Sequence, residues 1–257
     1  MRVDKYWAEK FGSRTKAAEA AERGEILVNG KTAKPSQEIK EKDVITFLLP
    51  ENQFVSNGGA KLARGIKQFS FDCKDKVFAD IGASTGGFTD CLLQNGAKKV
   101  FCVDVGESLL DEKLASDPRI VVMDHTNARF LTKESFPEPL DGAVIDVSFI
   151  SLRLILPILH DIVKQEGEVL ALIKPQFECE DKKLLSKSGI VTDPKLRRKI
   201  IAKIYASCIE NGLQPINLVN APLREKKNIE YVIELKKSRT CKPISLDLIY
   251  EKAENTF

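Results

Sequence analysis

Val77-Phe78-Ala79-Asp80-Ile81-Gly82-Ala83-Ser84-Thr85-Gly86-Gly87-Phe88 decides the fold. Its first five residues are nearly all apolar, the pattern of a parallel strand buried on both faces. A glycine-rich turn follows, and a helical segment is predicted over 89–95. Strand, tight glycine turn and helix form the opening unit of an α/β sheet, where the glycines let a ligand approach the backbone.

Downstream, the pattern repeats. Apolar runs predict strands at 99–103, 120–123, 142–145 and 169–173, with helical segments between several of them. Two more strands, 216–219 and 229–235, are joined by a short charged loop. The expectation is a doubly wound, seven-stranded α/β sheet with an antiparallel end. The tail after Lys236 is polar and reads as partly loose. Upstream, the first 50 residues stand apart. Val3, Tyr6, Trp7 and Phe11 recur at helical spacing up to Gly12. Ser13 reads as the N-cap of a second helix over 14–23, closed by Gly24. A strand at 26–28, an Asn29-Gly30 turn and a strand at 44–47 complete a small α+β module. The predicted division is a module at 1–50, a linker at 51–57, a large domain at 58–240 and a tail at 241–257.

The glycine spacing is neither G-x-G-x-x-G nor that of a P-loop, so a pyrophosphate cradle is not the natural reading. Asp80, at a strand end, repels a pyrophosphate but suits an amine-bearing ligand. Asp104 ends the second strand, where a carboxylate can accept from ribose hydroxyls. Asp124 ends the third, placed to reach an adenine edge. An adenosine ligand without phosphates fits this set, namely S-adenosylmethionine, bound by Asp80, Gly82, Ser84, Thr85, Gly86, Gly87, Phe88, Asp104 and Asp124. The plain alternatives are a tight turn with no ligand and carboxylates that merely cap helices.

Ligands in open α/β sheets bind outside the carboxyl ends of the strands. The fourth strand ends at Asp146 and the fifth at Lys174, with Pro175 stopping further pairing. An ammonium set directly after Leu170-Ala171-Leu172-Ile173 is partly desolvated, which suits a lysine to act as a general base. Glu230 opens the last strand, and Lys61 follows Gly58-Gly59 just before the sheet begins. Each could also be an ordinary solvated side chain.

The strings Asn57-Gly-Gly-Ala-Lys-Leu62, Asp80–Asp90, Asp146-Val-Ser-Phe-Ile-Ser151, Ile173-Lys-Pro-Gln-Phe-Glu178 and Asn228-Ile-Glu230 resemble the TlyA family. These proteins, long labelled hemolysins, are understood as rRNA 2′-O-methyltransferases with an FtsJ-type domain. The resemblance runs in order along nearly the whole chain. Arg2-Val-Asp4, Ser13-Arg14, Ala17-Ala18, Gly24 and Val28-Asn29-Gly30-Lys31 resemble the small S4-type RNA-binding module. The resemblance implies a Rossmann-like methyltransferase sheet behind an S4-like domain. It also implies a Lys61–Asp146–Lys174–Glu230 tetrad, with Lys174 deprotonating the ribose 2′-hydroxyl, Asp146 holding that lysine, and Lys61 and Glu230 positioning the group. It implies cytidines of 23S rRNA as targets, and in some members 16S rRNA too. The chain is compact for the family, which favours the large-subunit site alone. Asn57 departs from the family's arginine, no aromatic follows Gly106, Ser188 replaces a glycine, and the loop before Asn228 lacks one. None of these touches the tetrad.

Composition narrows the rest. Forty Lys+Arg face 37 Asp+Glu in 257 residues, a net charge of +3. Bulk-charge binding of polyanions is excluded, so RNA contact needs a local patch. Arg2, Lys5, Arg14, Lys16 and Lys31 are its candidates, and Arg64, Lys67, Lys182, Lys183 and Lys187 could flank the active-site mouth. No signal peptide is visible at the N-terminus, and no apolar run approaches the roughly 20 residues of a membrane helix. Six cysteines without a C-x-x-C pair, and only two histidines, speak against zinc and for reduced thiols in a cytoplasmic protein. A monomer without metal or membrane attachment is expected. The rival readings are a membrane-damaging hemolysin, a non-catalytic RNA-binding assembly factor and, weakest, a nicotinamide dehydrogenase.

Overall fold

A computed structural model describes residues 1–8, 11–22, 24–40, 42–47, 54–107, 109–222 and 227–254. Arg23, residues 51–53 of the predicted linker, Ser108, most of the charged loop before Asn228 and the last three residues lie outside them. Contacts divide the chain into two units, Met1–Gln53 and Phe54–Phe257.

In the first unit, Val3–Tyr6 (α1) and Arg14–Glu22 (α2) accompany strands Ile26–Val28 (β1), Lys31–Thr32 (β2) and Ile45–Phe47 (β3). The strands pair antiparallel in the order β2-β1-β3. Asn29 and Gly30 both take positive φ, as the two-residue hairpin between β1 and β2 requires. The Ser13 hydroxyl accepts from the Lys16 backbone N–H at 3.2 Å, an N-cap bond. Ala17, Ala20 and Ala21 are buried, and Val3, Ala20, Ala21, Ile26, Val28 and Ala33 form the unit's core. The helix expected up to Phe11 is only the four-residue α1, because Trp7 leaves the helix into a bend.

The second unit runs Asn57–Phe69 (α3), Val77–Ile81 (β4), Gly87–Gln94 (α4), Lys99–Val103 (β5), Glu112–Ala115 (α5), Ile120–Met123 (β6), Leu140–Ile145 (β7), Leu156–Ile162 (α6), Val163–Ile173 (β8), Pro175–Glu178 (α7), Pro194–Glu210 (α8), Gln214–Asn220 (β9), Tyr231–Lys236 (β10) and Leu246–Glu254 (α9). Seven strands make one sheet in the order β6-β5-β4-β7-β8-β10-β9. β10 runs antiparallel to both neighbours, and the ladders from β6 to β8 are parallel. The strand order reverses between β4 and β7, the switch point at which such sheets bind ligands. Alternation along β4 sends Val77, Ala79 and Ile81 to a core shared with α6, α8 and α9. Phe78 goes to the opposite core, with Leu62 and Ile66 of α3 and Phe88 and Leu92 of α4.

Two expectations are corrected. Residues 54–57 are not linker: Phe54 and Val55 pack on the core, and the Val55 N–H donates to Asp90 Oδ2 at 2.8 Å. The described residues of the polar tail, up to Glu254, are not loose either. α9 packs on β9 and buries Ile249 and Ala253, and the Tyr231 hydroxyl donates to Glu254 at 2.9 Å. A helix with so narrow an apolar stripe resembles a solvated segment in sequence. Among the described residues, no helix is long and apolar enough to cross a membrane.

Candidate active site

The sheet register brings the charged residues together. Tyr231 pairs with Ile173, so one step further Glu230 faces Lys174 across the β8–β10 ladder. Glu230 therefore sits just before β10 rather than opening it. Ile145 pairs with Ala171 and Ile81, and the Asp146 N–H donates to the Ile81 carbonyl at 3.0 Å. α3 begins beside this carboxylate: a Cβ on Gly58 would lie 3.7 Å from Asp146 Oδ2. Lys61, one turn on, follows into the same place.

Two ion pairs result. Lys174 Nζ lies 2.6 Å from Asp146 Oδ1, and the lysine is only 8% exposed. That contact is Coulombic, because no donor is aligned on the buried Oδ1 with hydrogen-bond geometry. The aligned bond of Lys174 goes to Ser148 Oγ, at 2.8 Å. Lys61 Nζ donates to Glu230 Oε2 at 2.6 Å, and Gln176 Nε2 donates to the other oxygen at 3.2 Å. Lys182 Nζ in turn donates to the Gln176 carbonyl at 2.9 Å. Arg64, one turn past Lys61, donates to Asn220 Oδ1 at 2.7 Å.

The glycine turn lies alongside. Gly82 has φ +83°, and a Cβ there would meet the Asp146 backbone oxygen at 2.9 Å. Gly86 has φ +88°, and a Cβ there would strike Leu114 and Leu110. Both positions demand glycine. A Cβ on Gly87 would meet Gly59 N at 3.0 Å, so α4 starts hard against α3. Asp80 is fully buried. Its Oδ2 accepts from Thr89 Oγ1 at 2.7 Å, and Oδ1 has no hydrogen-bond partner. Burial lifts this carboxyl to about 7; the Thr89 bond opposes the rise, and the charges of Asp146 and Asp104 add to it. Asp104 Oδ2 accepts from Ser84 N at 2.8 Å and Oδ1 from Gly106 N at 2.9 Å. That carboxylate thus ties the glycine turn to the loop after β5. Ser84 and Thr85 are exposed, Asp124 is half-buried just after β6, and the Phe88 ring is spent on the core. An orphaned carboxylate oxygen, two positions closed to a side chain and a second carboxylate at a strand end fit an aminoacyl nucleoside such as S-adenosylmethionine. Among the described residues, no group of three or more His, Cys, Asp or Glu is placed to hold a metal ion.

Several residues at the site have no role in the sequence reading. Ser148 holds Lys174, Thr89 holds Asp80, and Gln176 holds Glu230. Phe149 is 88% exposed at φ +67°, with its ring 5.2 Å from that of Phe177. Glu178 is buried, which pushes its carboxyl up, while bonds from Ser151 and Leu152 oppose this. The available signal was position: all but Thr89 lie within four residues of Asp146 or Lys174.

In the first unit, the candidate basic residues are exposed, and two of them are organised. Arg2 donates to Asp4 through Nε and Nη2 at 3.1 and 2.9 Å, and Arg14 Nε donates to Asp4 Oδ2 at 3.0 Å. Lys5, Lys16 and Lys31 are exposed.

This is the sheet of a methyltransferase, with a glycine turn at its switch point, and comparison with known proteins agrees. Residues 54–237 match the FtsJ-like methyltransferase family and residues 1–45 the S4 domain. The chain is 39% identical to hemolysin A of Brachyspira hyodysenteriae, over 90% of this chain and 98% of that protein. It is 36% identical to the 16S/23S rRNA (cytidine-2′-O)-methyltransferase TlyA of Mycobacterium tuberculosis, over 87% of this chain and 84% of that one. A solved Streptococcus thermophilus structure described as a hemolysin superposes with a TM-score of 0.76, at 35% identity, over 99% of this chain and 96% of that chain. The chain belongs to the FtsJ-like methyltransferase family, in the group that includes TlyA and hemolysin A.

Proposed function

We propose that this protein methylates the ribose 2′-hydroxyl of a cytidine in 23S rRNA, using S-adenosylmethionine, in the cytoplasm where ribosomes are assembled. The observation that carries it is a buried lysine, Lys174, paired with Asp146 at the carboxyl end of the sheet, beside a glycine turn with an orphaned carboxylate oxygen. The close relatives named as rRNA methyltransferases support the substrate class.

S-adenosylmethionine, when bound, would supply an electrophilic methyl group on a sulfonium, with a neutral thioether as the leaving group. Asp80 Oδ1 would receive its ammonium, Asp104 and Asp124 would hold its ribose and adenine, and Gly82, Gly86 and Gly87, with the Ser84 and Thr85 backbone, would give it room. Lys174 would take the proton from the 2′-hydroxyl as that oxygen bonds the methyl carbon and the methyl–sulfur bond breaks. Asp146 faces the ammonium so formed. Lys61 and Glu230 neutralise each other and hold the ribose end of the site. A placed base and an aligned donor suffice for such a displacement. Arg2, Lys5, Arg14, Lys16 and Lys31 contact RNA phosphates, with Asp4 aiming the two guanidiniums.

Incubating the protein with labelled S-adenosylmethionine and 23S rRNA, 50S subunits or 30S subunits tests the reading. Label is expected in 23S material as alkali-resistant 2′-O-methylcytidine. Label on a base, or none on RNA, contradicts it; label in 30S subunits extends the substrate to 16S rRNA.

Asp80 makes donor binding pH-dependent. Below about 7 the free protein holds this carboxyl protonated. A bound ammonium favours the carboxylate, so binding releases a proton there and affinity rises with pH until Asp80 is ionised. Calorimetry should show affinity about tenfold weaker at about pH 6 than at about pH 7.5, and nearly flat in Asp80→Asn. A wild-type profile as flat as the variant's removes Asp80 from the role.

Phe149 offers an exposed aromatic face beside the base, of the kind on which unstacked RNA bases sit. Phe149→Ala should raise the KM for RNA about tenfold and leave donor affinity unchanged, since base–aromatic stacking is worth about 1–3 kcal/mol. Steady-state kinetics in each substrate measures both.

A further inference from the structure

We propose that Glu178 is a positioning residue: it pins the exit of the loop after β7 and so fixes where Phe149 meets the RNA. This rests on the methyl-transfer reading above. The loop from Asp146 to Leu152 is anchored at its entry by the Asp146 N–H on Ile81, and by Lys174, which touches both Asp146 and Ser148. Its exit is anchored chiefly by Glu178, with a longer bond from Arg153 Nε to Ser151 Oγ at 3.4 Å beside it. Oε1 accepts from the Leu152 N–H at 2.6 Å, and Oε2 accepts from the Ser151 hydroxyl at 2.5 Å. Ser151 then accepts from the Arg153 N–H at 3.2 Å and starts the 3₁₀ turn Leu152–Leu154.

Lys174 and Glu178 bracket α7, so a single corner of the fold grips both ends of the loop. Between the grips, Phe149 is held at φ +67°, a conformation bulky side chains rarely adopt, and its ring rests on Phe177 of the same α7. Such a backbone persists only where its surroundings over-determine it. The two short bonds to a carboxylate that is 6% exposed supply that determination at the exit. Releasing them loosens the loop's apex while the donor site on β4 and the glycine turn keeps its own bonds.

The test is steady-state methylation of 23S rRNA by the full-length protein, with donor affinity measured separately. Glu178→Ala should raise the RNA KM about tenfold, from the loss of two bonds to a charged acceptor, with kcat within about threefold and donor affinity within about twofold. Glu178→Gln should recover most of this, since its amide oxygen can accept from Leu152 N–H while its NH₂ donates to Ser151 Oγ. Ser151→Ala removes one bond without touching the buried carboxylate; it should shift KM the same way by about threefold, and it serves if Glu178→Ala does not fold. An unchanged RNA KM in a folded variant overturns the proposal. So does a parallel loss of donor affinity, or a glutamine variant as impaired as the alanine one; either marks a merely structural carboxylate. A wild-type protein that does not methylate RNA is a separate result and removes the underlying reading itself.

Discussion

On the proposed mechanism, Lys174→Ala should lower kcat for methyl transfer about a thousandfold or more, the range expected when a placed general base is lost. The donor site is untouched, so S-adenosylmethionine affinity stays within about twofold of wild type by calorimetry. Lys174→Arg gives no rescue, because a guanidinium keeps its proton at any accessible pH. The variant must also leave Asp146 without its partner, with the one aligned bond to Ser148 gone. A modest loss of stability therefore accompanies the loss of rate, and activity is read well below the melting temperature. Arginine at wild-type rates would show that position 174 supplies only charge.

Gly82→Ala has the second-largest expected effect, and it acts through two neighbours at once. The glycine sits at φ +83°, where a Cβ costs about 1–2 kcal/mol by itself. The added carbon would also lie 2.9 Å from the backbone oxygen of Asp146, which has no flexible end to swing aside. One of the two strand ends must move, either the donor turn after β4 or the Asp146 corner after β7. A loss of about 3 kcal/mol follows, seen as a melting temperature lower by about 10 °C. Donor affinity and kcat fall together, each by about tenfold or more, because the same contact displaces the donor turn and the partner of Lys174. Gly189→Ala is the control: its φ is also positive, but no atom lies within 4 Å of its Cβ position. It should cost only the backbone strain and leave donor affinity unchanged. Equal losses in both variants would mean that the close approach to Asp146 has no functional weight.

The parts of the fold legible in sequence are those with one simple cause. Val77–Ile81 and Lys99–Val103 form where apolar runs predict them, since inner strands of a parallel sheet are enclosed by neighbours; Ile120–Met123 also forms where its apolar run predicts, though it is the partly exposed edge strand. β8 begins at Val163, six residues before its predicted start, because Lys164, Gln165, Glu166 and Glu168 disguise a strand whose first half is exposed. α9 is hidden in sequence for a related reason: only Ile249 and Ala253 are fully buried, with Leu246 and Tyr250 partly so, and charged residues lie between them. Asp146 and Lys174 were readable as strand ends. Lys61 and Glu230 were not diagnostic by position and entered through resemblance; the register of β8 on β10 brings Glu230 to the site, and the start of α3 beside Asp146 brings Lys61. Ser148, Thr89, Gln176 and Glu178 act through one or two hydrogen bonds each, most of them across long sequence separations. No periodicity in a sequence encodes such a bond.

The near-neutral net charge gains a structural counterpart in the first unit. Arg2 and Arg14 are not a loose basic surface, for both are turned by one buried aspartate. RNA affinity built from a few aimed groups depends on shape more than on charge in bulk.

The most direct test of the central claim is nucleoside mass spectrometry of 23S rRNA from a strain lacking this protein, complemented with the wild-type chain or with Lys174→Ala. One 2′-O-methylcytidine should be absent from the null strain, restored by the wild-type chain and still absent with the variant. The same 2′-O-methylcytidine content in all three would contradict the account.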